Sequence, residues 1–143
     1  MRASEVRAAL IAAVRALAPD ARAGVNDRFV HVEQPRDPDT AQERTFRISL
    51  AAQPVKDDSL NTCDMTRGEW SLGIFYPWTP AMDDRIALDA ERLDAALSED
   101  AMTAYDADFQ HVVVTPTGVE ETQQLVIARW SIVVRYRNHE VLS

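Results

Sequence analysis

A chain that makes or breaks bonds needs a nucleophile, a base or a metal set, and few residues here could serve. Cys63 is the only cysteine, so neither an intrachain disulfide nor a thiolate metal cluster can form. A lone thiol with no motif around it suits synthesis in a reducing compartment such as the cytoplasm. His31, His111 and His139 share no i, i+4 spacing. Two lie in strand-like runs and one in the tail, where a surface role fits better than that of a general base. No GxSxG, HExxH or P-loop pattern occurs, and four glycines do not make a phosphate cradle. Asp57, Ser59 and Asn61 occupy the first, third and fifth positions of a possible calcium loop. Thr62 then stands where glycine is needed, and Gly68 where the bidentate glutamate belongs. Asp57, Asp58 and Asp64 therefore read as a solvated acidic loop. Asp83 and Asp84 are adjacent, so on a helix they point apart rather than share a cleft. These residues predict no catalytic residue, no cofactor and no metal.

The charge pattern points elsewhere. The 143 residues carry a formal charge of −8, which disfavours nucleic-acid binding by phosphate neutralisation. Residues 83–100 hold seven acids (Asp83, Asp84, Asp89, Glu91, Asp94, Glu99, Asp100) against two arginines. Residues 128–137 hold Arg129, Arg135 and Arg137 and no acid. Opposed patches on one small chain are the raw material of self-association. Asp83, Asp84, Asp89 and Glu91 on one side, and Arg129, Arg135 and Arg137 on the other, are the candidate contact residues.

These groups must be positioned by regular elements. At 46% hydrophobic residues the chain fits one globular domain over residues 1–143, and no apolar run approaches the ~20 residues of a membrane span. Arg7 and Arg15 interrupt the apolar N-terminus, against a secretory signal. Val6, Leu10, Ala13, Val14 and Leu17 predict a helix over 4–18, with Ser4 as its cap. Residues 28–33 and 44–51 read as strands, with Phe46, Ile48 and Leu50 on one face. The intervening 52–68 reads as a long loop, which in a compact domain marks function or disorder. WSLGIFYPWTP, residues 70–80, alternates through Trp70, Leu72, Ile74 and Tyr76, then breaks at Pro77. Thr79 and Pro80 predict the start of an acidic helix over 81–98, with Ile86, Ala90, Leu93 and Leu97 inward. WSLGIFYPWTP is thus a strand–turn–helix junction, and Trp70 and Trp130 are core residues. Residues 99–110 allow a short helical turn, 111–116 a strand, Thr117–Gly118 a turn, and 123–137 the longest strand, followed by a flexible tail at 138–143. The order α-β-β-β-α-β-β predicts an α+β domain: a mostly antiparallel sheet of four to five strands, with two helices on one face. The other face, with Arg47, Ser71, Arg129 and Arg135, is left to meet solvent or a partner.

The layout of an amphipathic N-terminal helix, TRGEWSLGIFYPWTP leading into AMDDRIALDAERLDAAL, and a closing WSIVVRYRN resembles the tail terminator proteins of long-tailed bacteriophages and related tail-like particles. The resemblance spans roughly residues 4–137. It implies a structural protein of the virion, made in the host cytoplasm and placed at the head–tail interface. Such proteins form a ring, typically a hexamer, that caps the head-proximal end of the tail tube and stops its polymerisation. The resemblance further implies tail tube protein and head–tail connector as partners, DNA that passes through without specific binding, and no membrane. Loop 52–68, with Asp57, Asp58, Asp64 and Arg67, is then the candidate lumen or tube contact, ordering on meeting a neighbour. Another neck or tail-completion protein fits the same layout. A small ligand-binding domain or enzyme would instead use the open sheet face or the surroundings of Trp78.

Overall fold

The computed structural model describes residues 1–17, 28–34, 43–56, 65–80, 82–121 and 125–138. The chain is α+β: helix α1 (Ala3–Arg15), strands β1 (Arg28–His31), β2 (Glu43–Lys56) and β3 (Met65–Pro77), helices α2 (Met82–Ala96) and α3 (Glu99–Tyr105), and strands β4 (Phe109–Glu121) and β5 (Leu125–Arg137). The five strands form one sheet in the order β1-β2-β3-β5-β4. All pairs are antiparallel except β1 with β2, which are parallel.

Period-two alternation divides the long strands into two faces. On β5, Val126, Ala128, Trp130, Ile132, Val134 and Tyr136 are buried. They join Phe46, Ile48, Trp70, Leu72, Ile74 and Tyr76 in one core with Val6, Leu10 and Val14 of α1, Leu93 of α2 and Met102 of α3. Among the described residues three helices thus cover one face, one more than the sequence predicts. The addition, α3, occupies the expected helical turn and is capped by Ser98 Oγ, which accepts from the Ala101 N–H at 3.2 Å.

Three local expectations are corrected. Helix α1 begins at Ala3 with Arg2 as N-cap, not at Ser4. The Met1 ammonium is held by the Arg137 carbonyl at 3.0 Å and by Asp108 Oδ2 at 3.3 Å, and the Arg2 N–H donates to Glu5 Oε1 at 3.1 Å. These contacts fix the first turn upstream of the serine. The expected loop 52–68 is shorter at both ends: residues 52–56 belong to β2 and 65–68 to β3, with Lys56 opposite Thr66. Residues 57–64, and with them Asp57, Asp58, Asp64 and Cys63, lie outside the described residues. Two register shifts, at Leu50/Ala52 and Ala52/Val55, hide this strand from a search for strict alternation. Gly68, expected in the loop, instead lies under the Trp70 indole, where a Cβ would collide with the ring. Finally, Thr117–Gly118 is no turn. A bulge between Pro116 and Gly118 absorbs the irregularity, and β4 continues to Glu121 opposite Val126.

The junction at WSLGIFYPWTP is strand then helix, as the proline break implies, but Thr79 is not a side-chain cap. Its Oγ1 is buried without a hydrogen-bond partner, and α2 opens at Met82, whose N–H donates to the Thr79 carbonyl at 3.2 Å. His139 and the rest of the expected tail beyond Asn138 lie outside the described residues.

Candidate functional site

The strongest polar cluster is inside the core and serves the fold. Arg44 of β2 and Asp89 of α2 are fully buried. Their charged atoms, Nη1 and Oδ1, stand 3.1 Å apart, a Coulomb contact off the hydrogen-bond line. The Tyr76 hydroxyl donates to Asp89 Oδ2 at 2.7 Å, and the Arg44 guanidinium lies 5.1 Å from the Phe29 ring centroid. Burial pushes the Asp89 carboxyl up, opposed by Arg44 and by the Tyr76 hydrogen bond. Burial, then the charge and hydrogen bond of Asp89, push the Tyr76 phenol well above its usual range. The cluster ties α2 to two strands.

This corrects one candidate contact residue: Asp89 is core and cannot meet a neighbour. The signal lay in its spacing. Asp89 is three residues from Ile86 and four from Leu93, on the apolar stripe of α2, and Arg44 has the same strand parity as Phe46 and Ile48.

The other candidates are at the surface but are not gathered together. Asp83, Asp84 and Glu91 are exposed on α2. Arg129 gives its Nε–H to Glu120 Oε1 at 3.0 Å across the β4–β5 pair. Arg135 lies on β5 in register with Arg67 and His111, and Arg137 is exposed at the end of β5. Arg67, expected in a loop, is on β3 and pairs with Glu69 at 3.0 Å.

The helix-free face is organised in rows that run across the strands. One is Arg47–Gly73–Arg129 on β2, β3 and β5. Beside it runs a hydroxyl row, Ser49–Ser71–Ser131–Thr115, over four strands. On the other side Phe75 and Ile127 are paired. Because Gly73 has no side chain, the centre of the first row is hollow. A cleft of about 150 Å³ opens there, lined by Arg47, Ser49, Ser71, Gly73, Phe75, Ile127 and Arg129. An ideal Cβ on Gly73 would stand 3.6 Å from Arg129 Nη1, so that guanidinium reaches over the glycine. Alternation alone puts Arg47, Ser71 and Arg129 on this face. The rows needed the register, which a single sequence does not reveal.

Among the described residues, no nucleophile-and-base pair is assembled on this face. His111 Nδ1 contacts Glu99 Oε1 at 2.9 Å, both exposed. His31 sits edge-on to Phe46 at 5.3 Å, and burial lowers its pKa despite Glu33. Among the described residues no group of three metal-ligating side chains comes together, and no helix is long and apolar enough to cross a membrane. What the face offers is guanidiniums and hydroxyls on a rigid floor, which is binding chemistry for carboxylates or phosphates. Neither a family model nor a curated protein matches the chain.

Proposed function

We propose that this chain is a structural assembly subunit, a tail terminator of long-tailed phage or related tail-like particles. In this reading it forms a ring that caps the tail tube, halts its growth and presents a surface to the head connector, and DNA passes through the ring unread. The observation that carries the assembly role is the far end of the β4–β5 hairpin. From Thr115 to Glu121, β4 is exposed on both faces, and it is the last strand of the sheet. Val113 and Val119 are about half exposed. A strand left bare at an edge is a template for a partner, and an arm exposed on both faces buries little within its own subunit. Pro116, the bulge beside it, Glu120 and Glu121 restrain indiscriminate pairing. The resemblance in layout supplies the tail terminator role, and the acidic charge suits a lumen to which phosphates do not adhere.

Mass measurement across concentration, followed by imaging, tests the assembly role: discrete annular particles are expected. Adding the rings to growing tail tubes tests the particular role. Terminated tubes with a ring at one end are expected, and tubes that elongate unchanged beside intact rings overturn the terminator assignment while leaving the assembly role standing.

A further inference from the structure

The row Arg47–Gly73–Arg129 has a counterpart on the same molecule. The outward stripe of α2 reads Asp84, Ala87, Glu91, all three exposed. Both rows place a small residue between two charged ones, with opposite signs. Their spacings agree as well. Along a helix, three and four residues advance about 4.5 and 6 Å; neighbouring strands lie about 4.8 Å apart. A helix laid across the strands would bring Asp84 to one arginine and Glu91 to the other. Ala87 would then come down on the hollow at Gly73.

We propose that the Arg47–Gly73–Arg129 row is the receptor for the Asp84–Ala87–Glu91 stripe of a second copy, and that this contact is a joint of the assembly. The proposal rests on the self-assembling reading above and adds to the exposed β4 arm a second, charged contact between copies. Three observations support it beyond charge. The Arg47 Nε–H makes no hydrogen bond within the subunit, so a turn of the guanidinium toward an incoming carboxylate breaks no existing Nε–H bond. Arg129 commits only Nε to Glu120 and holds Nη1 beside the hollow. Ser49 and Ser71 border the same cleft and supply hydroxyl donors to a second carboxylate oxygen. The donor and acceptor patches are different surfaces of the subunit, so the contact is heterologous and closes into a ring if the rotation permits. The occupant is a second copy because its Asp84–Ala87–Glu91 stripe matches the row in sign and spacing, a local complementarity that acts at contact despite the like net charge of −8 on both chains.

Complementary charge reversal tests it. The paired variants are D84R/E91R, with a reversed stripe, and R47E/R129E, with a reversed receptor. Each alone opposes like charges and is expected to remain monomeric where the wild type assembles, with the dissociation constant raised roughly tenfold or more. An equimolar mixture is expected to regain the wild-type mass, because each reversed surface then meets an opposite one on its neighbour. Gly73→Val provides an independent variant. A β-branched residue suits a strand and its Cβ meets its nearest atom at an ordinary 3.6 Å, so a folded monomer that has lost the hollow is expected, with cooperative melting as the check on folding. Wild type that stays monomeric at every concentration overturns both the proposal and the assembly reading. Wild-type rings joined by rings of every variant overturn the proposal alone, as does a mixture that fails to recover while each variant remains folded.

Discussion

The two faces of one sheet use the same residue types for opposite ends. Each has an arginine–carboxylate pair between neighbouring elements and a glycine on β3. On the covered face, Arg44 and Asp89 have lost all contact with water and Gly68 lies under an indole. On the open face, Arg129 and Glu120 keep 41% and 62% of their side-chain exposure, and Gly73 opens onto a cleft. Burial decides what each pair is worth. A buried carboxylate left without its partner costs far more than a solvated one, because water cannot replace the lost cation. The covered face therefore holds the subunit together, while on the other face Arg129 and Glu120 stay in water and can meet a partner.

The largest effect that probes this contrast is at the buried pair. Asp89→Ala removes the buried carboxylate from beside the Arg44 guanidinium and takes the acceptor from the Tyr76 hydroxyl, and is expected to cost about 3–5 kcal/mol in urea unfolding. The double change R44M/D89L removes both charges and is expected to restore most of that loss, since an apolar pair of similar volume is commonly as stable as a buried ion pair. A double variant as unstable as Asp89→Ala would assign the cost to packing of α2 rather than to the uncompensated charge. Next in size are the two glycines. Gly68→Ala drives a methyl into the Trp70 ring, a rigid neighbour that is itself fully buried, and overpacking of this kind costs about 1–3 kcal/mol. Gly73→Ala meets its nearest atom at an ordinary 3.6 Å, and is expected to be neutral or to gain up to about 1 kcal/mol by restricting the unfolded chain. Parallel thermal melts of the two variants read the difference directly.

The sequence disclosed the faces better than the edges. Alternation through Trp70, Leu72, Ile74 and Tyr76, and from Val126 to Tyr136, identified the covered face correctly because strand side chains have a period of two whatever the register. It failed where the ladder is irregular. The shifts after Leu50 and the bulge at Pro116 turned strand into expected loop and turn, so the length of β4, and with it the exposed arm, was not legible. Asp89 was misplaced for a different reason. By residue type it belongs with the surface acids of α2, whereas its place on the stripe with Ile86 and Leu93 puts it inward. The Arg47–Gly73–Arg129 row joins residues from three strands, and only pairing brings them into line.

The smallest expected effect sharpens the contrast most. Glu120→Ala removes the carboxylate that holds Arg129 Nε at 3.0 Å on the open face. Both side chains are solvated, so the pair contributes about 0–1 kcal/mol to the subunit, and the urea midpoint is expected to move little. Assembly is a different measurement. Once Glu120 is gone, Arg129 loses its competing partner within the subunit and its whole fork is available to a carboxylate of a neighbour. If the open face is a receptor, Glu120→Ala leaves folding nearly unchanged and tightens association, and the gain shrinks as salt screens the charges. A variant that loses stability by several kcal/mol would mean that the hairpin arm depends on this exposed pair, and the division of labour between the faces would fail at its weakest contact.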